Sequence, residues 1–294
     1  MKDDNIMKKT TADLSLALVA MIWGTGFVAA QMALDANLYP FQIMAYRFFI
    51  SSLLMVIIFW KEFKGIRFPQ VKAGAIIGFF LYVAFAFQTI GLQYTTPSKN
   101  AFLTATNVVI VPFLYWIILK KAPDKYSMIG ALLTIVGISF LTLEGSFSIK
   151  AGDSLTLICA LGFAMHIISI GYYSNKYSPI QLTIIQMIMA FILSAISLIF
   201  VKDTAPLTTK GSLAIIYLGV VSTTIAFLLQ NIAQKYTSAT KTAIILSTEA
   251  VFGTLASIII LGEKLNSKMI IGCGIIFLAI LITETKLSFL KTKD

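Results

Sequence analysis

Residues 88–119 read QTIGLQYTTPSKNAFLTATNVVIVPFLYWIIL, and residues 230–261 read QNIAQKYTSATKTAIILSTEAVFGTLASIIIL. The two align without a gap at a shift of 142 residues. Extended over 88–130 and 230–272, the alignment holds 13 identities in 43 positions. Apolar matches are expected between any two apolar stretches. The polar ones are harder to dismiss: Gln88, Tyr94, Thr95, Lys99 and Thr106 recur as Gln230, Tyr236, Thr237, Lys241 and Thr248. A shift of 139 also lays Pro40-Phe41-Gln42 over Pro179-Ile180-Gln181. The chain therefore reads as a duplication.

Outward from these stretches, apolar runs fall at about 14–33, 41–60, 73–92, 100–119, 127–143, 155–173, 180–201, 212–232, 242–261 and 269–285. A bilayer core takes ~20 apolar residues as a helix. None of the runs alternates with period two, and a helix satisfies its own backbone in lipid, so all ten are read as helices. Each half of the duplication holds five. An odd number makes the second half enter the membrane from the opposite side. The expected fold is an all-α polytopic membrane protein of ten transmembrane helices in two inverted five-helix repeats. The divisions are a tail at 1–13, repeats at 14–145 and 152–285, and a tail at 286–294.

Composition agrees. The chain has 294 residues, of which 58% are hydrophobic and 12% charged, against ≈ 25% charged in average globular domains. Its mean hydropathy is +0.88. A soluble two-domain fold has no place for so much apolar surface. The net charge of +10 reports orientation instead of a nucleic-acid partner. With the N-terminus inside, 16 Lys and Arg lie in inner segments and 6 in outer ones, with Arg47 left inside a span. The positive-inside rule then puts both termini in the cytoplasm and the protein in the cell membrane as a multi-pass chain. The polar start followed by a long apolar run without a cleavage site reads as a retained span. Cys159 and Cys273 both sit in apolar runs and there is one histidine, so no metal or other cofactor is expected. No Walker-type loop, HExxH or GxSxG occurs. Gly152-Asp153-Ser154-Leu155 matches a lipase-type string, but four residues between two spans read as a turn and helix N-cap.

The stretch Phe227-Leu228-Leu229-Gln230-Asn231, then Tyr236-Thr237-Ser238-Ala239, then Ser247-Thr248-Glu249-Ala250-Val251-Phe252, followed by Leu261-Gly262-Glu263-Lys264-Leu265, resembles the drug/metabolite transporter superfamily, in particular its EamA-type ten-helix members. Trp23-Gly24 and Ala164-Met165-His166-Ile167 add to the likeness, which covers about residues 14–285. The resemblance implies a carrier with a central cavity, often exporting amino acids or other metabolites. The family often has Pro after the ninth-span Glu; here Ala250 stands there, which removes the basis for a proline kink.

Glu249, eight residues into the ninth run, is the sharpest candidate site residue. A carboxylate at that depth faces a cavity or a partner. It either binds a substrate amine or accepts a coupling proton, or else it is a packing carboxyl bonded to nearby backbone. Asn107 is its repeat counterpart. His166, the lone histidine, suits proton coupling by its ordinary pKa, and equally suits a buried imidazole with one hydrogen bond. Trp23 either walls the cavity or packs against Gly24 and Gly26. Gln88, Gln230 and Asn231 either line the path or bond at helix interfaces. Arg47 either snorkels to the headgroups or binds a substrate carboxylate. Gly74-x-x-x-Gly78 suits close helix approach, and Pro112 either hinges its helix or is an inert kink.

These residues point to a secondary transporter, since inverted repeats allow two bundles to rock about a shared midplane site. The favoured reading is export of a small metabolite such as an amino acid by alternating access, with proton coupling or exchange. The partners are that small molecule and the bilayer; a homodimer is left open. The alternatives are a multidrug exporter of the same fold, or a non-transporting sensor or assembly protein, which calls for an output domain. An intramembrane enzyme calls for a cluster of reactive groups, which the sequence lacks.

Overall fold

The computed structural model describes residues 2–120, 122, 124–142 and 150–285. The tail at 286–294 and the connection at 143–149 lie outside the described residues. Among those described the chain is all helix and turn, with no strand. Its main helices are α1 (Lys2–Asp35), α2 (Pro40–Ile58), α3 (Phe68–Leu92), α4 (Pro97–Ile118), α5 (Lys125–Thr142), α6 (Ala151–Tyr173), α7 (Pro179–Val201), α8 (Thr209–Ala233), α9 (Ala239–Leu261) and α10 (Ser267–Thr285). Eight of them, α1 to α4 and α6 to α9, are long and apolar enough to cross a bilayer. The expected fifth and tenth spans appear as α5 and α10, whose apolar stretches, Met128–Phe140 and Ser267–Ala279, are shorter. These two pack on each other, with Gly137 set against Ile276. The polar start does not form a separate coil: α1 begins at Lys2 and runs on into the first apolar run.

Start and stop chemistry explains the boundaries. Pro40, Pro97 and Pro179 each occupy the first turn of α2, α4 and α7, where a missing N–H costs nothing. Thr96 and Ser238 cap α4 and α9, their hydroxyls accepting the amides of Lys99 and Lys241. The turns before these caps match as well. Gln93 and Tyr94 donate to Ile90 and Gly91, while Lys235 and Tyr236 donate to Ile232 and Ala233.

Both capped helices are interrupted at the same repeat position. The N–H of Thr106 bonds back three residues to Leu103, and that of Thr248 to Ile245. Each threonine hydroxyl donates to that same carbonyl at 2.6 Å. A threonine hydroxyl taking a main-chain acceptor in this way bends the helix. Pro112 is not the break; it lies inside the second half of α4. Ala250 leaves the break in α9 intact because Thr248 supplies it.

The halves interlock. α1 packs against α8 and α9, and α6 packs against α3 and α4; α2 and α7 pack on each other. Two matching glutamines tie the halves reciprocally. Gln42 Nε2 donates to Ala205 O at 2.7 Å, and Gln181 Nε2 donates to Glu62 O at 3.2 Å.

Close crossings need small residues. A Cβ on Gly24 would lie 2.5 Å from Phe252 Cβ and 2.7 Å from Gly253 N, where α1 crosses α9. Gly74 and Gly78 press in the same way on Ile185 and Met189 of α7. Overpacking of this kind costs about 1–3 kcal/mol. Gly24→Ala is therefore expected to lower the melting temperature of the purified protein. Gly274→Ala, whose Cβ would meet nothing within 4 Å, leaves it unchanged or slightly raised; equal loss in both would refute the crossing as the cause.

Candidate functional site

Where the second half-helices of α4 and α9 begin, Asn107 and Glu249 meet a narrow cavity. Six of the eight residues singled out from sequence line it: Trp23, Arg47, Gln88, Asn107, Gln230 and Glu249. Half of the lining falls in matched pairs. Trp23 and Phe27 of α1 sit opposite Phe163 and Ile167 of α6, each pair 140 residues apart. Gln88 and Gln230, and Asn107 and Glu249, are each 142 apart.

The charged members break that symmetry. Asn107 is the counterpart of Glu249. At the shift of 139, the counterpart of Arg47 is Gln186. Glu249 is 5% exposed and Arg47 3%. Among the described residues no hydrogen bond or ion pair reaches Glu249, and none joins it to Arg47. Arg47 does not snorkel. Its Nε donates to Thr223 Oγ1 at 2.9 Å and its guanidinium lies 4.2 Å from the Phe85 ring centroid. The other guanidinium nitrogens carry no hydrogen bond to described residues. A cavity thus holds one carboxylate and one guanidinium, each with bonding capacity unspent, between aromatic walls.

The lining rings Trp23, Phe85 and Phe163 are braced on one another and on Phe227, which is buried behind them. Trp23 and Phe227 rings stand 4.9 Å apart, Phe85 and Phe163 5.3 Å, and Phe85 and Phe227 5.9 Å. Trp23 both lines the cavity and is pinned, its Nε1 donating to Ser222 O at 3.0 Å. That carbonyl belongs to a π-helical stretch, Leu218–Ile225, in the middle of α8. Such stretches leave main-chain groups unbonded by the helix and recur at functional sites. The same stretch supplies Thr223 to Arg47.

Two expected residues fall outside the lining. His166 is fully buried behind Phe163 and Phe227, with Nε2 3.1 Å from Gln186 Oε1. Asn231 is also fully buried and donates to Phe227 O at 2.8 Å. Gln88 and Gln230 are held from the side: Gln88 donates to Thr104 at 3.2 Å, and Gln230 to Gln234 at 3.1 Å. Phe27, Phe85, Phe163, Thr89 and Ser222 were not singled out from sequence. Helical register was the available signal, since Phe27 is four residues from Trp23 and Phe85 three from Gln88. Among the described residues no group of His, Cys, Asp and Glu is placed to hold a metal ion.

Comparison with known proteins accords with this architecture. The EamA-like transporter family matches twice, over residues 10–143 and 150–285. A protein of Archaeoglobus fulgidus named an uncharacterized transporter is 38% identical over 280 residues, covering 95% of this chain and 88% of that one. The uncharacterized transporter YcxC of Bacillus subtilis is 25% identical, covering 97% of this chain and 96% of its own. A solved crystal structure superposes with a TM-score of 0.70 at 16% identity, over 95% of this chain and 98% of that one, and so shares the fold. With its family matched in both halves, the chain belongs to the EamA-like transporter family.

Proposed function

We propose that the protein is a secondary transporter of ten spans, arranged as two inverted five-helix repeats, that exports a small zwitterionic metabolite such as an amino acid by alternating access. α5 and α10 act as the fifth and tenth spans. Their outward faces carry Leu132, Ile135, Val136, Ile270, Ile271 and Leu278, all exposed, as lipid contact requires. Both termini lie in the cytoplasm, and the membrane is the cell membrane.

The observation that carries the reading is that the two charged groups of the cavity each come from one repeat only, Glu249 having Asn107 as its counterpart and Arg47 having Gln186. Where the repeats agree, they supply aromatic and amide walls; where they differ, they supply Glu249 and Arg47. A carboxylate receives an ammonium and a guanidinium receives a carboxylate in a two-bond fork, while the rings cover an apolar side chain. Glu249 also serves as the coupling-proton acceptor. His166, buried against Gln186, does not face the cavity, and the coupling role falls to Glu249.

Uptake into proteoliposomes, with and without a pH gradient, tests the coupling. Wild type is expected to respond to the gradient and Glu249→Gln to lose that response. Gradient-independent flux with normal Glu249→Gln activity refutes the proton role. A multidrug exporter is the second reading, favoured by rings around a carboxylate, which suit an organic cation. A thermal-shift screen separates the two. Amino acids are expected to raise the melting temperature and organic cations not to; the reverse order would reassign the cargo.

A further inference from the structure

Away from the cavity, Lys9, Lys235, Tyr236, Thr237, Ser238 and Lys241 line an open recess. Lys9 belongs to α1 and Lys241 to the first turn of α9; the other four form the turn between α8 and α9. Three ammonium groups and three hydroxyls thus face one space, and no carboxylate is among its lining residues. Asp13 of α1 holds Lys241 in a 2.6 Å ion pair and so neutralises one of the three charges. Lys9 and Lys235 are exposed, and among the described residues neither has a hydrogen bond or ion pair. The Ser238 hydroxyl accepts the Lys241 amide at 3.2 Å and keeps its own proton to donate. Every polar side chain of the lining can therefore donate to an oxyanion.

The turn itself does not need this charge. Its counterpart in the first repeat has the same main-chain bonds, with Gln93 where Lys235 stands. The positive-inside rule accounts for lysines on this face, but not for their enclosure of one recess. Depth points to what fills it. The apolar runs of α1, α8 and α9 begin or end at about 14, 232 and 242. The recess lies just beyond them, where the hydrocarbon gives way to headgroups. Exposed apolar side chains follow within two to three turns, Leu14 and Leu18 on α1 and Ile232 on α8.

We propose that the recess binds a phosphate group, with Lys9 and Lys235 as its charge partners. The phosphate oxygens take the two unspent ammonium groups and the hydroxyls in charge-assisted hydrogen bonds. An anion there joins α1 to the turn between α8 and α9. The depth and the apolar flank favour the headgroup of an anionic lipid over free phosphate. A zwitterionic headgroup brings its own cation and gains less. The site is separate from the cavity and stands whether or not that cavity carries cargo.

Melting of the purified full-length protein in detergent, at fixed ionic strength, tests the site with phosphatidylglycerol, phosphatidylcholine or inorganic phosphate. Phosphatidylglycerol is expected to stabilise the parent and phosphatidylcholine much less. The concentration for half the effect is expected to rise about 30-fold in Lys9→Gln with Lys235→Gln, since each lysine near an anionic surface contributes about 1 kcal/mol. Lys9→Arg with Lys235→Arg keeps both charges and is expected to hold the parental value. So is Lys61→Gln with Lys72→Gln, two exposed lysines outside the recess. Stabilisation by inorganic phosphate that the recess variant loses would make free phosphate the occupant of the same site. No stabilisation by either phosphate source, equal stabilisation by phosphatidylcholine, an unchanged concentration in the recess variant, or an equal rise in the Lys61 and Lys72 variant would each overturn it.

Discussion

Glu249→Gln lowers saturable transport of a zwitterionic substrate by roughly 10–100-fold, because a hydrogen bond to a charged group contributes about 1.5–3 kcal/mol. The side chain keeps its size, so the aromatic walls and the break at Thr248 persist. What disappears is the negative charge, and with it the ammonium's partner. Nothing else among the described residues offers one in the cavity, since Asn107 and the two glutamines are neutral. The loss is specific to the amine. A ligand with a carboxylate and no amine is expected to bind Glu249→Gln at least as well as wild type. Tryptophan fluorescence or thermal shift with both ligand types checks this. An equal loss for both would make Glu249 a packing residue.

Arg47→Gln is the complementary case, with a loss of similar size and opposite ligand preference. Substrates with a carboxylate weaken by roughly 10–100-fold, and amines lacking one do not. Gln is also what the second repeat carries at the matching position, Gln186. The change thus makes the two halves alike there. Arg47→Lys restores charge but not the planar fork over Phe85, so it rescues only in part. Removing the guanidinium also frees the Thr223 hydroxyl, so melting temperature is measured beside affinity. A drop in stability with unchanged discrimination between the two ligand types would show that Arg47 only braces α2 against α8.

The extent to which sequence disclosed this arrangement varied by level. The eight long helices followed from apolar run length alone, because lipid imposes one rule on every span. The duplication followed from polar matches such as Gln88 with Gln230, since polar residues within spans are rare enough to be informative. The shorter apolar stretches of α5 and α10 were less distinct, because their identity depends on packing against each other. The interruptions at Thr106 and Thr248 were invisible: a threonine bends a helix only when its hydroxyl takes a main-chain acceptor, and nothing in the letter says so. Pro112, read as either a hinge or an inert kink, lies inside the second half of α4 and does not end a helix. The π-helical stretch in α8 has no proline or other obvious signal, yet it presents Ser222 and Thr223 to Trp23 and Arg47.

At the site, residue type located depth but not direction. Glu249 and Arg47 both sat within apolar runs, and charge cost in lipid argued that they turn inward. His166 obeyed the same logic and turned toward Gln186 instead, one helix face away from the cavity. The aromatic walls were unremarkable as sequence, since 22 phenylalanines are spread along the chain. Only Phe85 and Phe163, among those few that register places beside Gln88 and Ile167, meet the cavity with Phe27.

The central claim is that the cavity between Glu249 and Arg47 carries cargo across the membrane. Counterflow tests it most directly. Purified protein is reconstituted into liposomes preloaded with unlabelled amino acid, and entry of the labelled form is followed from outside. Transient accumulation above equilibrium, saturable and lost in Glu249→Gln, is the expected result. Entry no faster than into protein-free liposomes, for every amino acid that stabilises the purified protein, would contradict it.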